Sequence, residues 1–309
     1  MAKGRILIAA PRSFCAGVVR AIDIVEKLLE THGPPVYVRH EIVHNVHVVR
    51  DLESRGAVFV ESEEDVPEGA LVVLSAHGVA PEVYRKCEER NLEVVDAVCP
   101  LVSKVHAEAR RYAARGHKIA LVGHAGHVEV EGTMGEAPES MVLVETEEDA
   151  RNLEVEDGRP LAYLTQTTLS LDDTSKVVGA LRERFPELVG PPSADICYAT
   201  QNRQDAVKRI CEEATIVLVV GSKTSSNANR LVEVAKDRGA DAYLIDDERD
   251  LDPAWLDGHD VVGLTAGASS PDLLVRRVAD RLAELGYEDR EEVEIAREDV
   301  FFRLPASLR

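Results

Sequence analysis

The sequence predicts an α/β protein built of three similar α/β domains in a pseudo-threefold ring around one central site. Apolar β-branched runs alternate with segments whose apolar residues recur at intervals of three and four, which is the pattern of alternating strands and helices. Three cysteines each stand directly before a helical segment, and two polar loops follow each of them at similar intervals. An internal period of this kind indicates repeated structural units.

The strand candidates are short β-branched runs bounded by Gly, Pro or Ser. They are residues 5–9, 36–39, 70–74, 118–122, 161–164, 216–220 and 261–264. The helical segment after Cys99 places Val102, Val105, Ala109 and Tyr112 on one face, as expected for a helix that packs against a sheet.

The repeat is defined by Cys15, Cys99 and Cys197. A first polar loop follows them after 29, 28 and 28 residues, at His44, His127 and Ser225. A second polar loop follows another strand in each unit, at residues 75–78, 165–168 and 265–270. Loops after parallel strands collect at the carboxyl edge of the sheet, where ligands bind. We therefore expect domains at residues 16–98, 99–194 and 195–309, the last joined by an N-terminal strand within residues 1–15.

Composition and charge exclude several classes of function. The 309 residues carry a formal net charge of −20, so there is no general basic face to follow a nucleic-acid backbone. No apolar run approaches the roughly 20 residues that cross a bilayer. The sequence lacks G-x-x-x-x-G-K-[ST] and G-x-G-x-x-G, which disfavours nucleoside triphosphates and dinucleotides. We expect a cytoplasmic protein with neither a nucleic-acid nor a membrane partner.

The three repeated cysteines are candidate metal ligands. A thiolate at a helix N-terminus is stabilised by unpaired backbone N–H groups and by the helix dipole. The separations of 84 and 98 residues suit an iron–sulfur cluster better than a structural zinc site, which uses short spacings such as C-x₂-C. Three thiolates leave one iron of a four-iron cluster without a protein ligand, and that iron can act as a Lewis acid. Cys87 and Cys211 stand inside helical segments, and we expect them to be inert.

Residues 40–44 match the H-E-x-x-H pattern of zinc proteases. That pattern needs a helix that presents both histidines on one face. Here it follows Pro34, Pro35 and a β-branched run, so we expect His40 to end a strand and His44 to lie in a loop.

Two serine-rich loops are candidate anion sites. Residues 225–227 (Ser-Ser-Asn) and 269–272 (Ser-Ser-Pro-Asp) each precede a helical segment. Ordinary helix capping explains at least one residue in each loop. Helix N-termini with nearby hydroxyls also bind anions without many basic residues, which suits a diphosphate in an acidic protein. The histidines His44, His77 and His127 would add donors at repeated positions.

Glu129 is a candidate acid. It follows His127 closely, and Thr167 stands in the second loop of the same unit. A dry pocket can raise the pKa of a glutamate enough for it to donate a proton. A solvated surface glutamate is an equally good interpretation at this level.

These motifs together resemble one family. They are Pro-Arg-Ser-Phe-Cys15-Ala-Gly, Val-Arg-His-Glu-Ile-Val-His44-Asn, Ser-Ala-His77-Gly-Val, Asp-Ala-Val-Cys99-Pro-Leu-Val, Gly-His-Ala-Gly-His127-Val-Glu129, Thr-Gln-Thr167-Thr-Leu-Ser, Asp-Ile-Cys197-Tyr-Ala-Thr-Gln-Asn-Arg, Ser225-Ser226-Asn227 and Thr-Ala-Gly-Ala-Ser269. In this order they resemble the LytB/IspH family of 4-hydroxy-3-methylbut-2-enyl diphosphate reductases. Two positions depart from the expected pattern, Val128 for proline and Thr224 for asparagine.

The resemblance implies the last step of the methylerythritol phosphate route to isoprenoids, in which two electrons and two protons remove an allylic hydroxyl as water. It implies that the three cysteines hold a [4Fe-4S] cluster whose fourth iron, without a protein ligand, binds the substrate hydroxyl. It assigns the diphosphate to His44, His77, His127, Ser225, Ser226, Asn227 and Ser269. It assigns proton supply to Glu129, with Thr167 and His127 beside it, and a ferredoxin or flavodoxin-type carrier as the electron donor.

Two other functions remain open from the residues alone. An iron–sulfur hydro-lyase would use the cluster only as a Lewis acid, without net consumption of electrons. A non-catalytic cluster sensor would need a partner-binding element, and the sequence offers neither a basic stripe nor a helix-turn-helix pattern.

Overall fold

The computed structural model describes residues 4–156 and 158–309 of the chain. Residues 1–3 of the predicted N-terminal segment and residue 157 of the predicted second domain lie outside the described residues. The strands are β1 (Gly4–Ala10), β2 (Val36–Arg39), β3 (Ala57–Val60), β4 (Leu71–Leu74), β5 (Glu93–Asp96), β6 (Lys118–Val122), β7 (Met141–Val144), β8 (Leu161–Thr165), β9 (Ile216–Val220), β10 (Asp241–Ile245), β11 (Val261–Ala266) and β12 (Tyr287–Glu294). The helices are α1 (Ala16–Thr31), α2 (Val46–Ser54), α3 (Pro81–Glu89), α4 (Pro100–Ala114), α5 (Val128–Met134), α6 (Glu147–Asn152), α7 (Leu171–Arg184), α8 (Tyr198–Ile210), α9 (Ser226–Asp237) and α10 (Asp272–Glu284).

The strands form three parallel sheets with one shared topology. Their orders are β3-β2-β4-β5, β7-β6-β8 and β10-β9-β11-β1-β12. In each sheet, the first strand that follows the repeated cysteine pairs with the next two strands along the chain. Thus β2 pairs with β3 and β4, β6 with β7 and β8, and β9 with β10 and β11. In the second sheet an isolated bridge between Ala162 and Val189 takes the place that β5 and β1 hold in the others. The predicted α/β class with three similar domains is confirmed, while the ring arrangement and the domain boundaries stay predictions.

The chain divides into two compact units. Unit 1 comprises Met1–Val18, His44–Arg50 and Tyr198–Phe301, and it contains the five-stranded sheet. Unit 2 comprises Val19–Val43, Asp51–Cys197 and Phe302–Arg309, and it contains the other two sheets.

The sheet of unit 1 is covered on both faces. Strand β9 is fully buried, and its side chains alternate between two hydrophobic clusters. One cluster includes Leu218 and apolar residues of α10, and the other includes Val217 and apolar residues of α8 and α9. Burial on both faces explains why this strand reads as an uninterrupted apolar run, the usual signature of a parallel sheet between helix layers.

No helix in residues 4–156 and 158–309 is long and apolar enough to cross a membrane.

Replacing Leu164 by alanine tests the packing of the second sheet. Leu164 is fully buried in a cluster with residues of α4 and β6. Leu164→Ala should lower the free energy of unfolding by about 2 to 5 kcal/mol, because it removes buried apolar surface and leaves a cavity. Leu273→Ala, at a position 56% exposed, is the matched control and should change it by less than about 0.5 kcal/mol. Urea unfolding of the two variants measures both values, and equal losses would contradict this packing.

Candidate active site

The three repeated cysteines occupy equivalent places in the fold. Cys15 and Cys197 directly precede α1 and α8, and Cys99 is the N-cap residue of α4. Each backbone N–H donates to a carbonyl of a second polar loop: Cys15 to Ala268 at 3.2 Å, Cys99 to Ala76 at 3.0 Å and Cys197 to Thr167 at 3.1 Å. All three side chains are half-buried. The repeat in the sequence is therefore a repeat in hydrogen bonding.

The other two cysteines lie in different surroundings. Cys87 is fully buried within α3, and burial raises the pKa of its thiol. Cys211 follows the last residue of α8 rather than lying inside the helix as expected, and burial raises its pKa to about 11. All five cysteines lie in the described part of the chain, and none forms a disulfide. Raised pKa values oppose thiolate formation, so neither Cys87 nor Cys211 has the character of a metal ligand.

Glu129 and Thr167 form a buried pair in unit 2. The Thr167 backbone N–H donates to Glu129 Oε1 at 2.6 Å, and the Thr167 hydroxyl donates to Oε2 at 2.9 Å. Glu129 is 3% exposed, and burial raises its pKa to about 7 although the two hydrogen bonds from Thr167 lower it. This carboxyl can therefore hold a proton near neutral pH.

His127 begins the helix that carries Glu129. It is the N-cap residue of α5, and its Nδ1 accepts a hydrogen bond from the Glu129 N–H at 3.2 Å. An accepting Nδ1 has no proton, so the neutral ring carries its proton on Nε2. Val128 occupies the first helical position, and the cap forms with valine there in place of proline.

The His77 turn packs closely against α4 and α5. The rings of His77 and His127 lie edge to face with centroids 6.3 Å apart. Gly78 has φ +76°, and a Cβ there would lie 2.9 Å from His106 of α4. A Cβ on Gly132 of α5 would lie 3.1 Å from the Gly78 carbonyl oxygen. The positive φ and the contact with His106 favour glycine at position 78, and a side chain at position 132 would push the Gly78 carbonyl away by a few tenths of an ångström. Both glycines thus bring His77 beside the helix of Glu129.

Gln166 joins the two polar loops of the second sheet. Its backbone N–H donates to the Val122 carbonyl, and its Oε1 accepts from the His124 N–H at 3.1 Å. Its Nε2 donates to the Thr168 hydroxyl at 2.9 Å. The loop of His127 and the loop of Thr167 are thereby held together.

The serine loop of unit 1 is fixed at the start of α9. Ser225 is the N-cap residue, and its hydroxyl accepts from the Ala228 N–H at 3.3 Å. Asn227 accepts from the Ala268 N–H at 2.9 Å, and its amide donates to the Thr200 hydroxyl at 3.4 Å. A Cβ on Gly221 would lie 2.5 Å from the Cβ of Ala228, so α9 can pack this closely against the preceding loop because position 221 is a glycine.

The His44 segment belongs to the same unit. The Ser269 hydroxyl donates to the His44 carbonyl at 2.8 Å, and the Val46 N–H donates to Ser222 Oγ at 3.1 Å. His40 has φ +56° and follows the end of β2, and His44 precedes α2 without being helical. The H-E-x-x-H residues therefore lie outside any helix, as expected, and the zinc-protease interpretation fails.

The predicted site residues fall into two groups. Unit 1 holds Cys15, His44, Ser225, Ser226, Asn227 and Ser269, and unit 2 holds His77, Cys99, His127, Glu129, Thr167 and Cys197. Three residues not predicted from the sequence, Gln166, Thr200 and Ser222, fix these groups through hydrogen bonds. Gln166 and Thr200 lie within the motifs that resemble the family, so these motifs could have indicated them. Ser222 lies outside every motif.

Comparisons with known proteins identify the family. A sequence model described as LytB protein matches residues 6–283. The chain belongs to the LytB family.

Members of the LytB family match over nearly the whole chain. The 4-hydroxy-3-methylbut-2-enyl diphosphate reductase of Acidothermus cellulolyticus is 58% identical, with 99% of this chain and 91% of the relative covered. The enzyme of the same name from Bordetella pertussis is 56% identical, with coverage of 99% and 94%. The solved structure of the E-1-hydroxy-2-methyl-but-2-enyl-4-diphosphate reductase from Plasmodium falciparum is 39% identical, with a TM-score of 0.96 over 99% of this chain and 96% of that one.

The buried position of Glu129 predicts a pH-dependent stability. Its pKa of about 7 in the folded protein lies above the ordinary 4.5, so ionisation costs more in the folded than in the unfolded chain. The contribution of Glu129 to folding stability is therefore lost as pH rises from about 4.5 to about 7, and this contribution stays constant at higher pH. Glu129→Gln removes this loss, so the stability of the variant relative to wild type should grow by about 3 kcal/mol across that range. Urea unfolding of the apoprotein between pH 4.5 and 8 measures the difference. Glu131→Gln, at an exposed position of α5, should show no such trend, and a flat difference for Glu129→Gln would refute the raised pKa.

Proposed function

We propose that this LytB family member is a 4-hydroxy-3-methylbut-2-enyl diphosphate reductase. The reaction adds two electrons and two protons to the allylic diphosphate, releases the hydroxyl as water and yields isopentenyl and dimethylallyl diphosphates. The match of the chain to reductases over 99% of its length supports this activity. The observation within the molecule that carries the proposal is the equivalent backbone hydrogen bond at each of the three cysteines.

The cysteines suit an iron–sulfur cluster. Cys15, Cys99 and Cys197 each stand at the start of a helix, where a thiolate is stabilised, and all are half-buried. In the described ranges, no three His, Cys, Asp or Glu side chains lie close enough together to hold a single metal ion. A cluster does not require such a group, because each cysteine binds a different iron. When bound, a [4Fe-4S] cluster held by three cysteines supplies electrons and one Lewis-acidic iron.

The loop at the start of α9 is the proposed diphosphate site. Ser225, Ser226 and Asn227 surround a helix N-terminus, whose N–H groups and dipole attract an anion. Ser269 and His44 are joined to each other in the same unit. We assign His77 and His127 of unit 2 to the same substrate as further donors. Hydroxyls, amides and imidazoles can donate hydrogen bonds to a diphosphate in a chain whose net charge is −20.

Glu129 is the proposed proton source, and Thr167 determines which of its oxygens carries the proton. The Thr167 N–H can only donate, so Oε1 must accept and the acidic proton resides on Oε2. In the structure the Thr167 hydroxyl donates to Oε2. When Oε2 is protonated, this hydrogen bond reverses: Oε2 donates to Thr167 Oγ1, and the threonine hydroxyl hydrogen turns outward. One proton can thus move from Glu129 through Thr167 to a substrate oxygen.

The electron donor is proposed to be a ferredoxin or flavodoxin-type carrier, and the cytoplasmic location also stays a prediction.

Anaerobic turnover with counted electrons tests the function. The reconstituted protein should contain about four irons and four sulfides per chain and consume two electrons per product formed. A protein that converts the diphosphate without net electron consumption would be a hydro-lyase. A cluster-bearing protein that leaves the diphosphate unchanged would be a sensor. Either result would reject the reductase.

Removing the proposed acid should stop turnover without removing the cluster. Glu129→Gln should lower kcat by about 10² to 10⁴-fold, the usual contribution of a positioned general acid, with iron content unchanged. Wild-type kcat should fall as pH rises above about 7, because the carboxyl then loses its proton. Glu131→Gln serves as the control and should keep the wild-type pH profile. Stopped-flow oxidation of the reduced protein by substrate measures these rates, and normal turnover in Glu129→Gln would remove Glu129 from the mechanism.

A further inference from the structure

Each helix that begins after a repeated cysteine carries a cation near its second turn. Arg20 of α1 and Lys104 of α4 lie five residues after their cysteines, and Arg203 of α8 lies six residues after Cys197. Each cation donates hydrogen bonds to backbone carbonyls just before another of the three cysteines, not the one that precedes its own helix. Arg20 reaches the segment before Cys99, Lys104 the segment before Cys197, and Arg203 the segment before Cys15.

Arg203 holds the approach to Cys15 from a fully buried position. Its Nη2 donates to the Ser13 carbonyl at 2.6 Å and its Nε to the same oxygen at 3.2 Å. Ser13 has φ +61°, a conformation that a serine adopts at a cost and only where its surroundings enforce it. Glu298 forms a bidentate ion pair with the guanidinium, at 2.9 and 3.3 Å. The buried charge is thus neutralised, and its remaining donors fix the turn before the cysteine.

Lys104 holds the approach to Cys197. Its ammonium donates to the carbonyls of Ser193 and Ala194 at 2.7 and 3.0 Å, and to Asp195 Oδ1 at 2.9 Å. Asp195 Oδ2 in turn accepts from the Thr165 N–H at 2.9 Å. Three donors of one ammonium therefore fix the chain two to four residues before the cysteine.

Arg20 holds the approach to Cys99. Its Nη1 donates to the Val98 carbonyl at 2.9 Å, and its Nε donates to the Arg303 carbonyl at 3.0 Å. Asp96 Oδ1 accepts from the Val98 N–H at 2.8 Å, so both polar backbone groups of Val98, the residue before Cys99, are held. The Asp96 carboxylate and the Cys99 thiol both act electrostatically on the Arg20 guanidinium, so a positive charge lies close to Cys99.

We propose that Arg20, Lys104 and Arg203 are positioning residues that hold the three cysteines in the geometry the cluster requires. This inference rests on the proposed assignment of those cysteines as cluster ligands. Orientation of a ligand by hydrogen bonds from its surroundings governs metal affinity, and the backbone before each cysteine determines where its sulfur lies. A nearby positive charge favours the more negative, reduced cluster, so Arg20 also raises the reduction potential.

Neutral glutamine variants of the three cations test the proposal in the cluster-loaded protein. Arg20→Gln and Lys104→Gln should release iron to a chelator about tenfold faster or more, since loss of such supporting contacts commonly weakens metal binding by that factor. Arg20→Gln should also lower the reduction potential. Lys27→Gln, Arg111→Gln and Arg209→Gln are matched controls, because each lies more exposed on the same helix as one of the three, and they should behave as wild type.

Conservative variants separate position from charge. Arg20→Lys should restore the potential while iron release stays faster than wild type, because the charge returns without the planar fork. Arg203→Gln can fail to fold since it removes a fully buried side chain that makes several hydrogen bonds. Glu298→Gln therefore tests the same ion pair from its half-buried member and should also release iron faster. Melting of the apoproteins checks the fold of every variant.

The outcomes distinguish this inference from the assignment of the ligands. If Cys15→Ser, Cys99→Ser and Cys197→Ser bind as much iron as wild type, the ligand assignment fails and the positioning role fails with it. If these serine variants lose iron but Arg20→Gln and Lys104→Gln match their controls in iron release and potential, only the positioning role is overturned.

Discussion

The hydrogen bond from each repeated cysteine to a loop carbonyl is the constraint on which the other features depend. In all three cases a backbone N–H at a helix start is joined to the loop that follows a strand of a parallel sheet, namely β4, β8 or β11. That loop also carries His77, Thr167 or Ser269. One contact therefore fixes both a sulfur atom and a polar side chain, and it does so with backbone atoms, which any sequence supplies. Side-chain identity is left to determine the chemistry.

The two units use different means to place their polar groups. Unit 2 encloses one carboxyl so completely that its ionisation is shifted to neutrality, and a threonine fixes the orientation of its two oxygens. Unit 1 gathers hydroxyls and an amide around a helix start, where they are themselves held by neighbouring backbone groups. Proton chemistry needs a dry site, while an anion needs a site rich in donors, and the two groups match these needs.

Much of the fold could be predicted from the sequence because parallel strands buried on both faces are continuous apolar runs. The bounds of β2, β6 and β9 agree with the predicted runs. Strand β12 could not be predicted, because five of its eight residues are acidic and its place beside β1 depends on tertiary pairing. The cysteine positions could be predicted from the period of the repeat. Glu129 and Thr167 are 38 residues apart; the repeat placed them in loops of one unit, and the resemblance to a family assigned both to proton supply, but their hydrogen bonds could not be predicted. The cations on α1, α4 and α8 resemble ordinary surface charges in the sequence. Their partners include backbone carbonyls, and since every residue has one, no sequence pattern marks these contacts.

The surroundings of Cys15 include residues that are synthesised much later than Cys15 itself. Strand β1, which leads to Cys15, lies between β11 and β12, and Glu298 neutralises the guanidinium that fixes the turn before this cysteine. During synthesis the first cysteine emerges from the ribosome long before these partners do. Its surroundings are complete only after residues up to Glu298 have been translated, so the cluster proposed here would be inserted after that stage of synthesis.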